Sequence, residues 1–111
     1  MNVYVKELSR QLGVLGLQVD IFARRHLGSC QDIEWVSDKV RVVHLDGGPM
    51  THEIGDLYQF TPEFGENIVR FQIAEKTEYL LIHSHYWLSG LVGNYLSEIW
   101  SVPHLVTFHT L

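Results

Sequence analysis

Cysteine is almost absent: Cys30 stands alone, so no internal disulfide can form and no set of thiolates can hold a metal. No basic residue adjoins it to make it a nucleophile. Basic residues are scarce as well. Eight Lys and Arg stand against thirteen Asp and Glu, a formal charge of −5, and no basic cluster exceeds the pair Arg24-Arg25. The footprint needed to track a phosphate backbone is missing, which argues against nucleic acid as a partner. No uncharged apolar run approaches the ~20 residues of a transmembrane segment, and no signal-peptide pattern opens the chain. A soluble, cytoplasmic protein is expected. The chain also lacks a GxxxxGK[ST] phosphate loop, internal repeats and low-complexity tracts.

What remains is a chain of 111 residues, 46% apolar, enough for the core of one α/β domain. Val5, Leu8, Leu12 and Leu15 recur at helical spacing, predicting an amphipathic helix over residues 1–15 that Gly16 stops. That helix has no capping sequence and no strand before it, so the chain reads as beginning in mid-domain. Leu17, Val19, Ile21 and Ala23 alternate with Gln18, Asp20 and Phe22, as in a strand near a sheet edge. Residues 24–38 are polar and read as loop. Val40 to Leu45 is a second strand, closed by the turn Asp46-Gly-Gly-Pro49.

Thr61 reads as a helix N-cap, with Pro62 at the first helical position and Glu63 favourable to the dipole. Phe64, Ile68, Phe71 and either Ile73 or Ala74 would face the sheet. Tyr79 to His83 is nearly continuous apolar sequence, as in a strand buried on both faces. Trp87, Leu91, Tyr95 and Ile99 mark a helix over residues 86–100, and His104 to Phe108 is the last strand. Strands alternating with helices predict βαβ units: an α/β, Rossmann-like parallel sheet with flanking helices. Such a sheet normally opens with a central strand and a glycine-rich turn, so the sequence behaves like a fragment.

In a parallel sheet, ligands bind outside the carboxyl ends of the strands. His83, Ser84, His85 and Tyr86 fall at one such end, and His109 with Thr110 at the next. His83 and His85, two residues apart on extended chain, allow three readings. They can hold a metal with Asp46 or His109 as third ligand, although no carboxylate adjoins the pair to orient it. They can be structural histidines at a strand end, or part of a non-metal ligand site, the reading that the strand-end position favours. Tyr86 offers a phenol as directed donor, Thr110 a hydroxyl, and His109 an imidazole that is either a ligand contact or a cap. Asn2 begins a helix, where backbone N–H groups favour an anion. Asp20, Asp32, Glu34, Asp38 and Asp46 form no evident acid–base pair.

Five blocks, in order, resemble the N-terminal domain of family 4 (group 1) glycosyltransferases: Met1-Asn-Val-Tyr-Val-Lys-Glu-Leu8, Leu17-Gln-Val-Asp-Ile-Phe-Ala-Arg-Arg-His26, Val40-Arg-Val-Val-His-Leu45 with Gly48-Pro49, Ile82-His-Ser-His-Tyr-Trp-Leu-Ser-Gly90 and Thr107-Phe-His-Thr-Leu111. The likeness is strongest to the branch with sucrose-phosphate synthase-like enzymes and D-inositol 3-phosphate glycosyltransferase. It spans essentially the whole chain, and the ordered set of blocks is far more specific than Thr-Phe-His-Thr alone.

The resemblance implies a retaining hexosyltransferase of the GT-B fold, with this chain as an incomplete N-terminal half, truncated at both ends. A UDP-, GDP- or ADP-sugar donor would be held mainly by a C-terminal domain, and a small acceptor, phosphorylated or not, received here, with no metal or other cofactor. Asn2, Tyr86 and Thr110 match residues that contact the acceptor in the inositol branch; His85 adjoins them. His109 matches the Phe-His histidine that lies beside the donor sugar and contributes to catalysis. The lysine that this branch carries after its Gly-Pro turn has no match in Met50-Thr-His-Glu-Ile-Gly-Asp-Leu57, so the resemblance does not fix inositol phosphate as the acceptor. The chain alone is expected to be inactive. From other classes, a metal-dependent hydrolase using His83 and His85 and a non-catalytic sugar-phosphate binding module remain.

Overall fold

The computed structural model describes residues 3–25, 32–48 and 58–107. In chain order these form α1 (Val3–Val14), β1 (Val19–Arg24), β2 (Ile33–Trp35), β3 (Val40–Leu45), a 3-10 turn (Tyr58–Phe60), α2 (Thr61–Glu75), β4 (Ile82–His85), α3 (Trp87–Trp100) and β5 (His104–Thr107). The expected α/β alternation is present. It is distributed over two compact units, Met1–Leu45 and Asp46–Leu111, and the described strands form a three-stranded and a two-stranded sheet.

In the first unit β1 pairs parallel with β3, from Val19↔Val40 to Arg24↔Leu45. Strand β2 completes the order β1-β3-β2 and runs antiparallel to β3. It lies inside residues 24–38, expected to be loop. Three residues, Ile33-Glu34-Trp35, are too few to show a period-2 pattern in sequence. The register puts Val19, Ile21, Ala23, Val40 and Val42 on one face, the side on which Val5 of α1 packs. Val40 and Val42 are fully buried, each stabilising the fold by about 1.5–3 kcal/mol.

Helix α1 ends as Gly16 predicted. Gly16 takes φ 96°, its N–H donates to the Gly13 carbonyl, and the Leu17 N–H donates to the Leu12 carbonyl, the paired bonds of a Schellman cap. Leu15 therefore leaves the helix and is exposed instead of joining the apolar face. On the sheet's other face Arg41 grips Asp20 with two bonds, Nε–Oδ1 2.7 Å and Nη2–Oδ2 3.2 Å, and lies over the Trp35 ring.

In the second unit the N-cap of α2 is Phe60, not Thr61, because the 3-10 turn over Tyr58–Phe60 runs directly into the helix and advances its start by one residue. Pro62 remains in the first turn, as does Glu63. Ile68 is buried, whereas Ile73 and Ala74 are exposed and do not reach a sheet. Strand β4 begins at Ile82, later than the expected Tyr79, and leaves Leu80 85% exposed. Its pairing with β5 is parallel, from Ile82↔His104 to His85↔Thr107. Helix α3 buries Gly90, Val92, Gly93 and Leu96, while Leu91, Tyr95 and Ile99 remain 39%, 39% and 47% exposed. The small residues decide this: a Cβ on Gly90 would sit 3.6 Å from Val106, and one on Gly93 would collide with the His104 ring. The face that admits close backbone approach becomes the interface, overriding the large residues spaced four apart.

Candidate site at the β4 and β5 strand ends

Parallel register divides the β4–β5 pair into two chemically different faces. Ile82, Ser84, His104 and Val106 lie on the face that α3 covers; His83, His85, Leu105 and Thr107 lie on the opposite one. On the second face the His83 and His85 rings stack with centroids 4.3 Å apart, and His83 Nε2 is 2.7 Å from the Thr107 hydroxyl. The backbone then turns sharply at Tyr86. Its N–H donates to the Thr107 carbonyl across the strand ends at 2.9 Å, and its carbonyl accepts the Gly90 N–H at 3.0 Å, which starts α3. Tyr86 is 39% exposed at the carboxyl end of β4, where sequence placed it.

Under α3 runs a second chain of polar groups. His104 Nδ1 is 2.9 Å from the Asn94 side-chain oxygen, and His104 Nε2 is 2.6 Å from the Ser84 hydroxyl. An amide oxygen only accepts, so Nδ1 carries the proton and Nε2 accepts from Ser84. Burial lowers the His104 pKa, with the charge on His83 a smaller contribution in the same direction, so the ring is held neutral. Hydroxyl, imidazole and amide in series have the connectivity of an activated nucleophile. Ser84 is only 7% exposed beneath the helix, so a substrate carbonyl does not reach it. The chain is a brace that ties α3 to both strands.

Of the residues singled out from sequence, the structure brings His83, His85 and Tyr86 together at one strand end. Asn2, His109 and Thr110 lie outside the described residues. Among the described residues no group of three or more His, Cys, Asp or Glu is placed to hold a metal ion. Asp20, one of the carboxylates in which sequence showed no acid–base pair, serves as a partner of Arg41. Sequence reading missed Thr107, His104 and Asn94. The available signal was Gly93 next to Asn94 in mid-helix, a glycine that marks close approach of another chain segment. Elsewhere in this unit an apolar cleft of about 150 Å³ lies between α2 and α3, lined by Thr61, Pro62, Leu91, Val92 and Tyr95.

Strand ends carrying polar and aromatic side chains on a parallel pair are the arrangement in which α/β transferases and dehydrogenases hold small substrates. Comparison with known proteins resolves that class. Residues 1–111 match the family described as Glycosyl transferase 4-like domain, and the chain belongs to that family. It is 41% identical to a D-inositol 3-phosphate glycosyltransferase of Corynebacterium kroppenstedtii, over all of this chain and 25% of that protein. It is 40% identical to the enzyme of the same name from Frankia alni, over all of this chain and 28% of that protein. Among solved structures, a sucrose-phosphate synthase from Thermosynechococcus elongatus superimposes with TM-score 0.88 at 34% identity, over 98% of this chain and 27% of that one. These structural neighbours are glycosyltransferases of the GT-B fold. The chain spans about a quarter of the length of the curated relatives it matches. No helix among the described residues is long and apolar enough to cross a membrane.

Proposed function

We propose that this chain is the acceptor-side, N-terminal portion of a retaining glycosyltransferase that moves a hexosyl group from a UDP-, GDP- or ADP-sugar to a small polyhydroxylated acceptor in the cytoplasm. The observation that carries the reading is the juxtaposition of His83, His85 and Tyr86 with Thr107 at the ends of two parallel strands, in a chain matched to the family from end to end. Tyr86 and His85 contact the acceptor hydroxyls, together with Asn2 and Thr110. Two residues beyond Thr107 in sequence, His109 sits beside the donor sugar.

Sugar transfer with retention passes through an oxocarbenium-like state. It needs fixed dipoles around the developing charge and a crevice that excludes water. His109 and the strand ends supply part of that field. Stabilisation of the departing nucleotide belongs to the remainder of the enzyme, so the 111 residues alone turn over no nucleotide sugar. No metal takes part in the transfer.

The test is His109→Ala in the protein expressed from the complete reading frame. Loss of one dipole aimed at the developing charge lowers kcat by about 10²–10³-fold, with the donor KM nearly unchanged. An unchanged kcat would remove His109 from the reaction.

A further inference from the structure

Three described residues other than glycine have positive φ: Lys76, Tyr86 and Ser101. Lys76 and Ser101, at φ 54° with ψ 40° and 48°, occupy the left-handed well that commonly closes helices α2 and α3. Tyr86 is different. At φ 70° and ψ 161° it lies in a region that essentially only glycine populates. The conformation is over-determined by its surroundings. Thr107 takes the Tyr86 N–H, Gly90 donates to its carbonyl, and the Ser84–His104–Asn94 brace fixes β4 against β5 and α3. A chain with this turn and no further demand on it would carry glycine here, as it does at Gly16 and Gly48, which also have positive φ.

We infer that the strained backbone of Tyr86 is retained to hold its ring at the acceptor position. Residue 86 thus trades fold stability for affinity toward a polyhydroxylated, phosphorylated or neutral acceptor. This rests on the transferase reading for its functional half; the strain itself does not. Strain kept at a binding position pre-organises a ring that would otherwise lose rotational freedom on contact with its ligand.

Tyr86→Gly, Tyr86→Ser and Tyr86→Phe, each made in the complete protein, separate the possibilities. At an ordinary N-cap serine is as good as glycine or better. In the conformation seen here glycine wins, and the unfolding midpoint of Tyr86→Gly exceeds that of Tyr86→Ser by roughly 3–6 °C. Kinetics use D-inositol 3-phosphate and hexose phosphates as acceptors with UDP-, GDP- and ADP-glucose as donors. Tyr86→Gly raises the acceptor KM by about tenfold or more, while the donor KM stays put. Tyr86→Phe keeps the wild-type midpoint.

A serine variant as stable as the glycine variant overturns the strain. A glycine variant with the wild-type acceptor KM overturns the trade. A wild type that transfers from none of the donors removes the transferase reading instead, and the order of the glycine and serine variants still decides the strain.

Discussion

The β1-β3-β2 sheet and the β4–β5 sheet each contain one parallel pair, β1 with β3 and β4 with β5, and spend their residues in opposite ways. In the first, Ile21, Val40 and Val42 close one side, and the other carries buried Val43 beside the Asp20–Arg41 pair, with Arg41 over the Trp35 ring. In the second, one face is covered by α3 and the other presents two stacked histidines and a threonine, with a strained tyrosine at its end. The first region accounts for stability through burial and paired charge. The second holds polar groups in fixed positions at the strand ends, in keeping with the acceptor-binding role proposed for it.

Aspartate scanning draws the contrast most sharply. Val42→Asp places an unpaired charge in a fully buried position and destabilises by more than about 4 kcal/mol. Leu105→Asp, on the open face of β5, changes stability by only about 0.5 kcal/mol or less. Urea unfolding followed by circular dichroism reads both, and equal losses would erase the distinction between the two regions.

A smaller effect comes from the ion pair. Arg41 and Asp20 are only 15% and 11% exposed, so Arg41→Ala strands a mostly buried carboxylate and costs about 2–3 kcal/mol. Arg41→Ala with Asp20→Asn recovers most of that loss, because no charge is left uncompensated. Failure of the double variant to recover would show that Arg41 acts by packing on Trp35.

The smallest effect concerns pH. Burial depresses the His104 pKa below its ordinary value of 6.5, so the stability it contributes is fully present above that value and is lost as pH falls through the folded-state pKa. Wild type therefore unfolds at lower urea at pH 5 than at pH 7.5, and His104→Asn flattens the dependence in this window. Glu34, whose carboxyl is held down by the Lys6 hydrogen bond, gives the same sign only below its ordinary value of 4.5 and does not interfere. An equal slope with and without His104 would remove the neutral-imidazole brace.

Much of the fold was legible in the sequence. The β-branched run over Val40 to Leu45, the Gly16 stop and Pro62 near a helix start are local signals, and local signals survive folding intact. The misreadings arose where tertiary contacts overrode local pattern. Leu91, Tyr95 and Ile99 correctly marked a helix, and what their spacing did not carry is its buried face, which Gly90 and Gly93 set where the helix meets His104 and Val106. Tyr79 to Leu81 look like a strand but precede the residues that β5 pairs.

The site divides similarly. His85 and Tyr86 were visible because strand ends concentrate chemistry. Thr107, His104 and Asn94 act through partners 10 to 24 residues away, a distance that no local pattern spans. The positive φ of Tyr86 leaves no trace in sequence, since the residue that would announce it is glycine.

The central claim is that these strand ends receive the acceptor in a retaining hexosyl transfer. It is tested most directly by incubating the protein from the complete reading frame with UDP-, GDP- and ADP-glucose and a panel of sugar and cyclitol phosphates. The product's anomeric configuration is then read by NMR, with the 111-residue chain assayed alongside. The account predicts a glucoside with the donor's α configuration from the complete protein and no turnover by the chain alone. An inverted product, no transfer from any donor, or turnover by the chain alone would contradict it.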